Sequence, residues 1–124
     1  MQSRRMKALR VLIIEDNALN AMLLAELLAE MGHGVCAIVA TEADAIATAL
    51  RHRPDLVIAD VRLRSGSGIA AVEEILRGGP VPHIFMCGDP MDVKLRLPDA
   101  IVIRKPYSQA LLAKTVENAL AAAP

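Results

Sequence analysis

Glu15 and Asp16 stand directly after the aliphatic run Val11-Leu12-Ile13-Ile14. Asp60 follows Leu56-Val57-Ile58-Ala59, and Lys105 comes just after Ile101-Val102-Ile103. Acids and a lysine that each follow a short apolar run collect at one end of a sheet if the runs are parallel strands. Three carboxylates held together repel one another, which neutral pH tolerates only with a compensating cation. Carboxylate oxygens near a phosphate site suit Mg²⁺, a hard cation that keeps several of its waters. Lys105 supplies a compact positive charge able to pair with a carboxylate or a phosphoryl oxygen. A carboxylate can itself accept a phosphoryl group as an acyl phosphate, with metal and lysine offsetting the charge on the transferred group.

The elements that must position these residues alternate between two kinds. Five short runs are nearly continuously apolar: the three above, Val35-Cys36-Ala37-Ile38-Val39 and Ile84-Phe85-Met86-Cys87. Strands covered by helices on both faces have this composition, whereas half-exposed strands alternate. Between them lie Ala- and Leu-rich stretches with helical spacing. Ala18 to Met31 ends before Gly32, a suitable C-terminal cap. A second helix follows Thr41, a plausible N-cap, and runs to about His52. A third spans roughly Gly68 to Leu76, and the last runs from Gln109 to Ala122 behind Ser108. Pro90 and Pro98 bracket only a short stretch, so a fourth helix there is expected to be short or irregular. Strand–helix alternation of this kind means a parallel sheet with helices on both faces. In such sheets, ligands bind outside the carboxyl ends of the strands, where strand order reverses. Cys87-Gly88-Asp89, ending the fourth apolar run, belongs to the same end.

The 124 residues, 54% apolar and 23% charged, are expected to form one domain over 1–124 with its core at about 9–122. Fourteen basic residues balance fourteen acidic ones, which gives no support to direct nucleic-acid binding through a broad basic surface. The short basic clusters Arg4-Arg5-Lys7 and Arg51/Arg53 read as solvated surface. No apolar run approaches the ~18–20 residues of a membrane span, and Val11–Ile14 is too short for a signal-peptide core. A cytoplasmic location is the expectation. Cys36 and Cys87 lie in apolar stretches without metal-ligand spacing and suit reduced thiols.

The joint pattern of Glu15-Asp16, Asp60 and Lys105-Pro106, each behind an apolar strand, resembles the receiver domains of two-component response regulators, including the single-domain chemotaxis type. Pro54-Asp55-Leu56-Val57-Ile58-Ala59-Asp60 is especially close, as is Gly66 to Gly68 with the helix behind it. The likeness covers about Leu9 to Ala122. It implies an α/β, flavodoxin-like, doubly wound sheet of five parallel strands in order 2-1-3-4-5 with five helices. It implies Asp60 as phosphoacceptor and metal ligand, Glu15 and Asp16 as further Mg²⁺ ligands, and the backbone carbonyl of Arg62 as another. Lys105 would contact the phosphoryl group, and the Lys105-Pro106 peptide would be cis, which only proline makes accessible. Singly, each residue has a bland reading: Glu15-Asp16 as a helix cap, Asp60 as a turn cap, Lys105 as a surface lysine. Their coincidence at one end of one sheet argues against it.

Two positions depart from the family. Its fourth strand usually ends in Thr or Ser, whose hydroxyl bonds the new phosphoryl group; here Cys87 stands there. A thiol is a weak donor, and losing a hydrogen bond to a charged group weakens coupling by about 1.5–3 kcal/mol. Cys87 reads equally well as a buried apolar strand end. The second switch position, an aromatic three residues before the lysine, is Val102 here. Tyr107 reads as packing at the start of the last helix. Phe85-Met86-Cys87-Gly88-Asp89 loosely resembles the Phe-x-Thr-Gly-Tyr loop of a receiver subgroup found in stress regulators and beside certain histidine kinases. Arg62 and Asp89 flank the path of an attacking water, and an ion pair between them would shield an acyl phosphate. The plain alternative is two solvated charges.

The resulting expectation is a stand-alone receiver, not a turnover enzyme. It would be phosphorylated by a histidine kinase or histidine phosphotransfer protein and would act by protein–protein contact. The resemblance puts its partner face on the fourth helix, fifth strand and fifth helix, with Lys94, Arg96, Leu97 and Tyr107; a homodimer is open. Two rivals remain: a receiver cut from a larger regulator, and a binding module that signals without phosphorylation, which the replaced Thr and aromatic favour. An aspartyl phosphatase is disfavoured because Asp60-Val61-Arg62 lacks a second acid two residues on. Gly66-Ser67-Gly68 has no following Lys-Ser/Thr and so is no phosphate loop.

Overall fold

The computed structural model describes residues 7–122; Arg4, Arg5 and the last residues of the chain lie outside them. Ten elements alternate along the chain: β1 (Arg10–Ile14), α1 (Ala18–Glu30), β2 (Gly34–Val39), α2 (Glu42–His52), β3 (Leu56–Asp60), α3 (Gly68–Arg77), β4 (His83–Cys87), α4 (Met91–Lys94), β5 (Val102–Arg104) and α5 (Gln109–Ala122). The strands form one parallel sheet in the order β2-β1-β3-β4-β5. This is the α/β architecture and strand order expected, with five helices.

The continuous apolar runs are explained by two cores, one on each face of the sheet. Val11, Ile13, Leu56, Ile58, Ile84, Met86 and Ile103 meet Leu24 and Leu28 of α1 and Leu112 and Val116 of α5. Leu12, Ile14, Val57, Ala59, Phe85 and Cys87 meet Ala45 and Ala49 of α2, Ile69 and Val72 of α3 and Val93 of α4. Side chains of a strand alternate between faces, so a strand covered on both must be apolar at every position. Each large aliphatic side chain fully buried this way stabilises the fold by roughly 1.5–3 kcal/mol relative to exposure.

The helix ends follow their local chemistry. Asn17 caps α1, Thr41 caps α2 by accepting from Asp44 N–H, and Ser67 caps α3 by accepting from Ile69 and Ala70 N–H. Gly32, just past α1, takes the left-handed φ of +91° that such a stop requires. Ser108 accepts from Leu111 N–H at the start of α5. Between Pro90 and Pro98 only the single turn Met91–Lys94 forms, short as expected. β5 begins one residue later than the apolar run, at Val102. No helix among the described residues is long and apolar enough to cross a membrane.

Candidate functional site

From β1 the chain runs outward to edge strand β2 and then crosses back to β3, so strand order reverses between β1 and β3. The carboxyl ends of these two strands carry Glu15-Asp16 and Asp60. Glu15, Asp16 and Asp60 come together there, with one ligand oxygen from each lying within 4.8 Å of the others. Glu15 is 3% exposed and Asp60 9%.

Main-chain donors fix all three. Asn17 N–H donates to Glu15 Oε2 at 3.2 Å, Arg64 N–H to Asp16 Oδ2 at 2.6 Å and Arg62 N–H to Asp60 Oδ1 at 3.3 Å. Lys105 arrives from the end of β5, where its own N–H donates to Cys87 O at 2.8 Å. Its Nζ lies 2.9 Å from Asp60 Oδ2 and 3.7 Å from Glu15 Oε1. The Lys105-Pro106 peptide is cis, as the resemblance implies.

Burial raises the Glu15 carboxyl above its ordinary range; the Asn17 hydrogen bond opposes this and the negative charge of Asp60 adds to it. For Lys105, burial pulls the ammonium down. The hydrogen bond to Asp60 and the charges of Asp60 and Glu15 outweigh that, and its pKa is raised. One ammonium against three ionised carboxylates leaves two negative charges unbalanced. Three hard oxygen donors with that deficit fit a divalent cation of the Mg²⁺ type.

Gly68 makes the arrangement sterically possible. A Cβ on it would lie 1.9 Å from the Asp60 carbonyl oxygen and 2.9 Å from its carbonyl carbon. Gly68 N–H donates to Val61 O at 3.0 Å, so the first residue of α3 rests directly on the chain that carries Asp60. The Gly66-to-Gly68 segment stands out in the sequence; the close approach behind it is a tertiary fact.

On the other side of Asp60 a cleft of about 390 Å³ opens, lined by Asp60, Arg62, Cys87, Asp89, Asp92 and Lys105 among others. Cys87 is buried at the end of β4, and its thiol is pushed up, first by burial and then by the charges of Asp89, Asp92 and Asp60. Neither cysteine is bonded to another. Val102 is half-buried against the α2–α3 side of the sheet. Tyr107 packs on the opposite core, its hydroxyl 3.7 Å from Met86 Sδ.

The structure corrects one pairing. Arg62 Nη2 meets Asp92 Oδ2 at 3.2 Å instead of Asp89. The Asp89 carboxylate is turned into the first turn of α4, where its Oδ1 accepts from Met91 N–H at 3.0 Å. Asp92 faces the cleft from that same turn. Sequence reading passes over it because the stretch between the two prolines has no periodicity; an acid three residues beyond Asp89 was the available signal.

On the expected partner face, Lys94 and Arg96 are exposed and also make contacts within the chain. Lys94 Nζ donates to Ala100 O, Arg96 is paired with Glu73 of α3, and Leu97 is half-buried. The exposed apolar side chains on α4, just after it and on α5 are Met91, Leu95 and Leu111.

The model of the response regulator receiver domain family matches residues 11–117. The phyllosphere-induced regulator PhyR of Methylorubrum extorquens is 36% identical over 117 residues, covering 91% of this chain and 44% of that protein. The receiver domain of PhyR from Erythrobacter litoralis superposes with a TM-score of 0.83 at 32% identity, covering 94% of this chain and 92% of that one. The receiver domain of the sensor histidine kinase PA1611 from Pseudomonas aeruginosa, solved with magnesium coordinated in its active-site cleft, gives a TM-score of 0.81 at 25% identity, covering 94% and 100%. This chain spans about half the length of the curated relatives it matches first.

Proposed function

Because the chain belongs to the response regulator receiver domain family, we propose that it takes a phosphoryl group onto Asp60 from the phosphohistidine of a histidine kinase or phosphotransfer protein. The observation that carries this is Asp60 itself: nearly buried, fixed by the Arg62 N–H, bonded to Lys105 Nζ at 2.9 Å and grouped with two further carboxylates at the strand-order reversal. A carboxylate oxygen of Asp60 attacks phosphorus. The P–N bond to the donor imidazole breaks with its electron pair returning to nitrogen, leaving an acyl phosphate. Lys105 Nζ stands ready to donate to a phosphoryl oxygen as the Asp60 oxygen it holds becomes esterified. Glu15, Asp16, Asp60 and the Arg62 carbonyl would hold Mg²⁺. Bound there, the ion offsets the charge of the acids and of the incoming phosphoryl oxygens.

On this reading the protein is a cytoplasmic signalling module, taken as one domain over 1–124. It passes its state to a protein target through α4, β5 and α5, not to nucleic acid. As a part of a larger regulator it would do the same toward a neighbouring domain. Cys87 and Val102 favour one second reading, a binding module that works unphosphorylated, because the usual hydroxyl and aromatic are both replaced.

Intact mass after incubation with Mg²⁺ and acetyl phosphate separates the two. One added phosphate on the wild type and none on Asp60→Ala is the expected result. An unchanged wild-type mass, with cation binding demonstrated separately, moves the conclusion to the unphosphorylated module.

A further inference from the structure

We propose that Arg62 is the residue that reads the phosphoryl group: Asp92 holds it before modification, the phosphoryl oxygens take it afterwards, and the exchange releases α4. The inference rests on Asp60 as the acceptor.

The cleft beside Asp60 is framed by charges of both signs. Lys105 is committed to Asp60 and Glu15. Arg62 is the other cation lining it, and its guanidinium reaches across to Asp92 on α4 at 3.2 Å. That pair is exposed, with side chains 85% and 45% accessible, so water and salt compete with it freely. A phosphoryl group on Asp60 brings close to two negative charges and three acceptor oxygens into this space. Guanidinium can bind phosphate through two parallel hydrogen bonds, whereas its pair with Asp92 here is one contact to a single negative charge. The Arg62 backbone is already tied to Asp60 through its N–H, which keeps the side chain beside the acceptor.

Once Arg62 has moved, Asp92 and Asp89 face the new charge without a counter-ion. Asp92 lies in the first turn of α4 and Asp89 two residues before the helix, which is a single turn closed by Val93 and Lys94 N–H to Pro90 O and by Met91 N–H to the Asp89 carboxylate. Its other fastenings lie further along: buried Val93, Lys94 to Ala100 O and Arg96 to Glu73. Repulsion therefore acts at the end away from those tertiary fastenings. The route needs neither a hydroxyl at Cys87 nor an aromatic at Val102, the two parts this chain lacks.

The test uses the whole chain, wild type, Arg62→Gln and Asp92→Asn, with Mg²⁺ and with or without acetyl phosphate. Gln keeps the backbone carbonyl at 62. Intact mass gives the phosphorylated fraction and its decay, and hydrogen exchange reports residues 89–97. Phosphorylation is expected to speed exchange there several-fold in the wild type. Both variants should show that fast exchange before phosphorylation and little change after it. The phosphoryl half-life should move in opposite directions, shortened in Arg62→Gln and lengthened in Asp92→Asn, where Arg62 has no competing partner. A purely structural pair would shift both half-lives the same way, and that result overturns the exchange. So does wild-type exchange behaviour in Arg62→Gln, before and after phosphorylation. A wild-type mass that never increases removes the acceptor reading and this inference with it, and the unchanged mass identifies which failed first.

Discussion

On the β1–β3 side of the site, each acidic side chain accepts a hydrogen bond from a backbone N–H: Asn17 for Glu15, Arg64 for Asp16 and Arg62 for Asp60. The acids sit on the ends of buried strands, and α3 presses on Asp60 through Gly68 with no room for a side chain between. On the β4–β5 side, the connection is one turn of helix closed by its own local backbone hydrogen bonds, and the side-chain pairs that tie it to neighbouring segments, Arg62–Asp92 and Arg96–Glu73, are exposed. A backbone donor cannot leave without moving the main chain that carries it, whereas exposed ion pairs exchange partners at small cost. The first arrangement suits groups that must keep a fixed geometry for chemistry, the second a segment that must respond to it.

The largest expected effect comes from attacking the fixed side where it is tightest. Gly68→Ala places a methyl group 1.9 Å from the Asp60 carbonyl oxygen, a backbone atom that no rotamer change removes. Overpacking of this kind typically costs 1–3 kcal/mol, and contact with backbone belongs at or above about 3 kcal/mol. Denaturant unfolding should show that loss, and phosphate uptake should fall because Asp60 has been displaced. A loss below about 1 kcal/mol with full uptake would show that this side yields as easily as α4.

Next in size is the cation. Asp16→Asn removes one of three mutually repelling charges and leaves an oxygen that can still accept from Arg64 N–H. Without divalent ion the variant should be at least as stable as the wild type. With Mg²⁺ at about 100 times its dissociation constant, the wild type should gain about 2.7 kcal/mol. The variant should gain far less at the same concentration. Thermal melts with and without the ion check both statements, and an equal gain in the two proteins would remove Asp16 from the ligand set.

The two sides also differed in how far they could be read from the chain. Strands buried on both faces advertise themselves by continuous apolar runs, so the parallel sheet and the acids at its ends were legible, while its strand order came from the family resemblance. Resemblance to a family with the same acids added roles for them. Gly68 could be flagged but not explained, because its reason is a contact with Asp60, eight residues away in sequence and adjacent only in the fold. Arg62 was tied to the wrong acid because the choice between Asp89 and Asp92 depends on which way one helical turn faces, and a stretch without periodicity carries no such information. Likewise the contacts of Lys94 with Ala100 and of Arg96 with Glu73 could not be read from the sequence, because they depend on how the turn sits against its neighbours.

The smallest expected effect is a crossed perturbation that should strike one side at a time. At the far end of β1, Leu9 N–H donates to Nδ1 of buried His33 at 3.1 Å, so this nitrogen must be unprotonated and the proton assigned to Nε2. Burial lowers the His33 pKa below 6.5 in the fold. The folded value lies below the unfolded one, so its contribution is full above pH 6.5 and is lost as pH falls through the folded value. As pH falls from 7.5 through the folded value, stability should fall, with faster hydrogen exchange at Leu9, which donates the bond, and Gly34, which donates to Leu9 O. His33→Gln, which keeps an acceptor but cannot titrate in this range, should abolish that pH dependence. Raising NaCl to about 1 M at pH 7.5 shortens the screening length to about 3 Å and should instead speed exchange across 89–97, which two exposed ion pairs tie to neighbouring segments. Acid that loosens 89–97 as much as Leu9, or salt that loosens Leu9 as much as 89–97, would mean that the two sides share one set of fastenings and that the contrast between them is only apparent.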